Sequence, residues 1–131
     1  MGAVPSRTRT RRADVLIVDD EADVRRSMSE ILQASGFSVV EAEDGDVALG
    51  LLRESDYGMV LLDIRMPKLD GVSLIEALRE LPPVIVHSAF SLSSEERARL
   101  GSKVVEYLRK PVSPHQLVSA VQGALGAGAG P

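Results

Sequence analysis

Four places in this 131-residue chain set a reactive side chain directly after an aliphatic run. VLIV (15–18) runs into Asp19, Asp20 and Glu21; MVLL (59–62) into Asp63; VIVH into Ser88; and VVEYLR into Lys110 and Pro111. A carboxylate at the end of a buried run loses hydration worth several kcal/mol unless it reaches solvent or meets positive partners. If the first and third runs are neighbouring strands, three carboxylates crowd together, and each like-charged pair at about 4 Å costs roughly 4 kcal/mol at an effective dielectric of 20. Lys110 offsets one of those charges and leaves the others unbalanced. A hard divalent cation held by oxygen ligands would neutralise them, and in a chain without cysteine Mg²⁺ is the natural candidate. On this reading Asp63 is a reactive group beside a metal.

Taken one at a time, these residues have plainer explanations. VDDE suits a helix N-terminus, where acids complement the macrodipole. Asp63 alone could cap a strand end, Ser88 alone means nothing, an isolated lysine is usually solvated, and Tyr107 suits a core or rim. Joint placement at consecutive strand ends is what argues for a site, because ligands of open α/β sheets bind at the carboxyl edge, beside the switch in strand order.

The elements that must position these groups alternate. After VLIV, a helical pattern over 21–35 puts Val24, Met28, Ile31 and Leu32 on one face and stops at Gly36. FSVVEA reads as a strand, 45–54 as a helix burying Val47, Ala48, Leu51 and Leu52, and MVLLD as a third strand. Gly71 opens a helix carrying Leu74, Ile75 and Leu78 that must end before Pro82 and Pro83. VIVHS follows as a strand. Ser93 and Glu96 form a capping box for a short helix to Leu100, and VVEYL is the fifth strand. Ser113, Pro114 and Gln116 fit N-cap, N1 and N3 of a last helix facing inward with Leu117, Val118, Val121 and Leu125. Apolar strands alternating with amphipathic helices imply a parallel sheet covered on both faces.

Composition bounds the function. The 44% hydrophobic content supports one core, built of aliphatics because aromatics are only 3%. Without cysteine there is no disulfide, thiol nucleophile or zinc-thiolate site. The net charge is −4 although residues 1–12 hold Arg7, Arg9, Arg11, Arg12 and no acid, so the body is more acidic than the total and repels polyanions. Residues 1–12 are expected to be a disordered basic arm and 126–131 a flexible Gly/Ala tail. No run approaches a membrane span, and a cytoplasmic location is expected.

VDDE, LLDIRMPKLDG, HSA and YLRKP together, in this order, resemble the signature of bacterial two-component response-regulator receiver domains, over residues 13–125. The resemblance implies a doubly wound, flavodoxin-like five-stranded parallel sheet of order 2-1-3-4-5 with five helices. It implies Asp63 as phosphoacceptor, with Asp20, Asp63 and the main-chain carbonyl of Arg65 as direct Mg²⁺ ligands and Asp19 binding through water. Lys110 and Ser88 would meet the phosphoryl oxygens, Ser88 and Tyr107 would switch, and Pro111 would follow a cis bond. The partners implied are a sensor histidine kinase or phosphotransfer protein, and a downstream protein reading the face of the fourth helix, fifth strand and fifth helix. The chain is expected to be a stand-alone regulator with no DNA-binding domain, a monomer or weak dimer. It would not be a conventional enzyme, although Mg²⁺-dependent self-phosphorylation and autodephosphorylation are expected.

Some positions depart from the commoner pattern: Ser88 in place of Thr, His87 before it, and a longer Gly101–Lys110 segment. Arg65 and Phe90 are expected to tune dephosphorylation, and His87 and His115 to be rim or surface residues. A phosphorylation-independent interaction module of the same fold is the alternative, favoured by loss of a pocket residue; none is missing. A haloacid-dehalogenase-like phosphatase would need a second acid two residues beyond Asp63, where Arg65 stands.

Overall fold

Hydrophobic runs buried on both sides can only be central strands, and the structure places them so. This is a computed structural model, and it describes residues 10–129. Its elements run β1 (Arg11–Val18), α1 (Ala22–Ala34), β2 (Val39–Ala42), α2 (Gly45–Glu54), β3 (Asp56–Leu62), α3 (Gly71–Glu76), β4 (Val84–Ser88), α4 (Ser94–Leu100), β5 (Val104–Arg109) and α5 (Pro114–Ala129). The five strands form one sheet of order β2-β1-β3-β4-β5, with every pairing parallel. This is the order and architecture the resemblance implied.

Alternating strand side chains divide the interior between the two sheet faces. On one face Leu16, Val60, Leu62 and Val86 pack with Leu52 of α2, Leu74 and Ile75 of α3 and Leu100 of α4. On the other, Val15, Ile17, Met59, Leu61 and Ile85 pack with Met28 and Leu32 of α1 and Leu117 and Val121 of α5. Each fully buried Leu or Ile contributes roughly 1.5–3 kcal/mol, so this aliphatic core fixes the sheet that carries the polar edge.

The helix ends are chemically specified. Ser93 and Glu96 make the reciprocal capping box of α4. Ser113 Oγ accepts from Gln116 N–H at 3.1 Å while Gln116 Oε1 accepts from Ser113 N–H at 3.2 Å. Gly36, at φ 96°, turns the chain out of α1 in a conformation that only glycine adopts cheaply. Gly101–Lys103, in the lengthened segment before Lys110, forms a 3-10 turn, and the β4–β5 register shifts beside it.

Four expectations need correction. β1 begins at Arg11, inside the segment read as a disordered arm, because Arg11 pairs with Asp56 along β3 and also bonds Asp14 at 3.0 Å. Residues 1–9 lie outside the described residues. α5 continues to Ala129 through much of the stretch read as a flexible tail, since Ala tolerates the helical backbone and Gly weakens it by only about 1 kcal/mol. Val47 is 42% exposed rather than buried, sitting in the first turn of α2. His87 is 3% exposed, a core residue and not a rim one, because β4 is buried along its whole length.

Candidate functional site

The carboxyl edge of the sheet gathers the reactive groups because β1 and β3 run level. Val18 pairs with Leu62, so the next residues, Asp19 and Asp63, emerge side by side. The Asp63 N–H donates to the Val18 carbonyl at 2.9 Å, which continues the ladder one step past β3 and fixes where its carboxylate points. Asp19 is 1% exposed and Asp63 5%, whereas Asp20 faces solvent. One oxygen from each of Asp19, Asp20 and Asp63 lies within 4.8 Å of the other two.

Lys110 closes the site from β5. Its Nζ lies 2.9 Å from Glu21 Oε1, 3.0 Å from Asp19 Oδ2 and 3.3 Å from Asp63 Oδ2. Its backbone N–H donates to the Ser88 carbonyl at 2.9 Å, and the Lys110–Pro111 bond is cis, as the resemblance implied. Burial alone would push the ammonium toward its neutral form; hydrogen bonds to Glu21 and Asp19 and the charges of Asp63 and Asp19 outweigh it and raise the pKa. The lysine is therefore a fixed cation.

The carboxylates remain under-compensated. Burial raises the Asp63 pKa, Lys110 opposes the shift, and the charge of Asp19 adds to it. Among the described residues, Asp63 Oδ1 accepts only the Arg65 N–H, at 3.2 Å. Asp19 Oδ1 accepts the Glu21 N–H at 2.9 Å, and the buried Oδ2 meets the Lys110 ammonium at 3.0 Å, the same ammonium that Glu21 and Asp63 share. Three carboxylates with an oxygen each within 4.8 Å of the others, sharing one ammonium, are the hard-oxygen donor set a small divalent cation takes, so the residues present fit Mg²⁺.

A family profile for the response regulator receiver domain matches residues 15–122. The chain belongs to the response regulator receiver domain family. The transcriptional regulatory protein PrrA of Mycobacterium tuberculosis is 42% identical over 114 residues, covering 85% of this chain and 49% of that regulator. A 14.6 kDa protein from the sodA1 3′ region of Leptolyngbya boryana is 36% identical over 114 residues, covering 83% of this chain and 87% of its own length. Among solved structures, a CheY-like response regulator receiver domain protein of Methanospirillum hungatei superposes with a TM-score of 0.81 at 31% identity, over 90% of this chain and 98% of that one. The receiver domain described here spans about half the length of most of the curated relatives it matches. Receiver domains work with histidine kinases in two-component signalling. No helix among the described residues is long and apolar enough to cross a membrane.

The remaining expected residues of this receiver domain are placed as follows. Ser88 ends β4, buried, and its Oγ accepts the Phe90 N–H at 3.2 Å. Tyr107 is half-buried on β5 against the α2–α3–α4 side of the core, with the Arg97 guanidinium 4.1 Å from its ring centroid. Phe90 is 65% exposed. The Arg65 side chain turns away from Asp63 to pair with Glu96. His115 is exposed in the first turn of α5.

Three contributors were not assigned a role from sequence. Glu21 bonds Lys110. Arg25 donates to the Asp19 carbonyl at 2.7 Å and to Glu41 at 3.0 Å, bracing the acid loop from α1. Asp44 caps α2 by accepting the Val47 N–H at 2.9 Å and takes Lys68 at 3.3 Å, tying α2 to the β3–α3 loop. Arg25 was legible in principle, since it stands one helical turn after Glu21 and must overhang the strand end. The other two depend on which loops meet.

Proposed function

We propose that this domain accepts a phosphoryl group onto Asp63 from a phosphohistidine of a sensor kinase or phosphotransfer protein, in a Mg²⁺-dependent reaction, and signals through protein contacts. The observation that supports this most is the Asp63 carboxylate at the sheet's carboxyl edge, flanked by Asp19 and by Lys110 at 3.3 Å. Asp20, Asp63 and the carbonyl of Arg65 would hold the ion directly, and Asp19 through water. When bound, Mg²⁺ supplies neutralisation of the carboxylates and of the phosphoryl oxygens.

The chain's own residues do the rest. An Asp63 oxygen attacks phosphorus; the phosphorus–nitrogen bond of the donor breaks, and its electron pair returns to the imidazole. Lys110, held rigid by Glu21 and Asp19, faces the charge on the transferred group without rearranging, which is where preorganised electrostatics count most. The buried position of Asp63 limits water at the same carboxylate.

Once phosphorylated, Asp63 carries more negative charge and new acceptor oxygens, which the Ser88 hydroxyl and Lys110 meet. Ser88 moves inward, Tyr107 rotates into the space it leaves, and the face of α4, β5 and α5 changes for a downstream protein. The phosphoryl group shifts this equilibrium only by its differential interaction with the two states. Beryllofluoride, a non-covalent phosphoryl mimic, tests the reading. With Mg²⁺ it should shift the amide resonances of Asp63, Ser88 and Lys110 in the wild type and not in Asp63→Asn. Equal shifts in both proteins would remove Asp63 from the role.

A further inference from the structure

The short α4 is held to the body mainly by polar links. Leu100 is its one fully buried side chain. Its first turn is organised by Glu96, whose carboxylate does two things at once. Glu96 Oε1 accepts the Ser93 N–H at 2.9 Å, completing the capping box, and also accepts Arg65 Nη2 at 3.1 Å. Its other oxygen takes Arg65 Nη1. The Arg65 hydrogen bonds, then that of the Ser93 backbone, hold the carboxylate well below its usual range, to about 2, so the pair is charged across the physiological range.

Arg65 stands two residues beyond Asp63, and its N–H donates to Asp63 Oδ1 at 3.2 Å. One residue thus bonds the phosphoacceptor with its backbone and the α4 cap with its side chain. Further along the same helix, Arg97 lies over the Tyr107 ring and Arg99 Nε bonds Glu76 of α3 at 3.0 Å. A chain of contacts therefore runs from Asp63 through Arg65 and Glu96 into α4, and through Arg97 to β5.

We propose that the Arg65–Glu96 pair is a clasp that conveys the state of the Asp63 carboxylate to the first turn of α4, a route that does not pass through Ser88. The inference rests on Asp63 being the phosphoacceptor. When Asp63 Oδ1 is drawn to another partner, the Arg65 N–H loses its acceptor and the Asp63–Arg65 turn relaxes. The guanidinium then shifts against a carboxylate that cannot follow without weakening the Ser93–Glu96 cap. The structure shows the clasp closed, and a released arrangement is the inferred second state that coupling between sites requires.

The variant that isolates it is Glu96→Gln. Glutamine still serves in a capping box but removes the charge that holds Arg65. Amide spectra of uniformly labelled protein are recorded with Mg²⁺, with and without beryllofluoride. In wild type, the pocket amides of Asp63 and Lys110 and the α4 amides of Ser94 to Arg97 should both respond. In Glu96→Gln the pocket response should stay while the α4 response falls at least twofold. A wild-type α4 response in Glu96→Gln, with the pocket equally occupied, overturns the clasp and leaves the phosphoacceptor reading intact. No pocket response in wild type overturns both. In the free protein, hydrogen exchange of the α4 amides should rise by roughly two- to fivefold in Glu96→Gln, the size expected of a partly exposed ion pair. Arg65→Met should match it, with no further rise in the double variant. Additive rises would show two independent contacts and overturn the clasp.

Discussion

A buried imidazole with no partner is costly, and His87 pays that cost one residue from the proposed switch. Neither ring nitrogen meets a hydrogen-bond partner among the described residues, and burial, followed by the nearby charge of Lys110, pushes the pKa down to about 4. The unfolded chain takes its proton near 6.5, so the unfolded state binds more protons between those values. The stability present above pH 6.5 therefore declines as pH falls toward 4, by about 3 kcal/mol in all. His87→Leu should be neutral or stabilising at pH 7.5 and should flatten the loss on the acid side; thermal melts across pH 4–7.5 check this. Asp63 behaves in the opposite sense. Its pKa is raised, so stability falls as pH rises from the unfolded carboxylate's ordinary value through the folded one, and above both the ionised form weakens the fold. Asp63→Asn should accordingly melt higher than wild type at pH 7 without divalent cation, and a lower melting temperature would contradict the account of the crowded pocket. At this scale the sequence was informative about residue type and strand-end position, which is why Asp19, Asp20, Asp63, Ser88 and Lys110 could be named. It was uninformative about partners: the pairing of Arg65 with Glu96 joins residues distant in sequence, and no local pattern encodes it.

Among the elements, the β3–α3 connection is packed too closely to admit side chains at its glycine contacts. A Cβ on Gly71 would lie 2.7 Å from Ile64 Cδ1 and 3.0 Å from the Asp63 carbonyl, and one on Gly45 would lie 2.1 Å from the Leu69 carbonyl. Gly71→Ala must therefore push on the backbone that carries Asp63. It should cost about 1–3 kcal/mol and reduce phosphoryl uptake with it, measured by chemical denaturation and by labelling. Ser93→Ala, by contrast, should cost about 1 kcal/mol through the lost cap and leave Mg²⁺ affinity unchanged. The N-termini of α4 and α5 were legible to the residue, because Ser-x-x-Glu and Ser-Pro-x-Gln are local chemistry. The start of β1 and the end of α5 were not. Both lie in stretches whose composition suits disorder, and tertiary pairing with β3 decides the first.

Over the whole molecule, the sheet order makes the site. Placing β1 and β3 side by side at the centre brings Asp19 beside Asp63, and placing β5 next to β4 brings Lys110 to the Ser88 carbonyl. No single segment contains the pocket. Charge follows the same logic: an acidic edge balanced in part by one lysine should bind a divalent cation and be stabilised by it. Mg²⁺ should raise the melting temperature of wild type with the logarithm of its concentration above the dissociation constant, and raise it much less in Asp20→Asn. The measurement that bears most directly on the central claim is the intact mass of the protein after incubation with acetyl phosphate, followed by peptide mapping. The account predicts a single phosphoryl adduct on Asp63 that requires Mg²⁺, does not form when a chelator is present during the incubation and is absent in Asp63→Asn. An adduct that forms without divalent cation or persists in Asp63→Asn, or no adduct in the wild type, would contradict it.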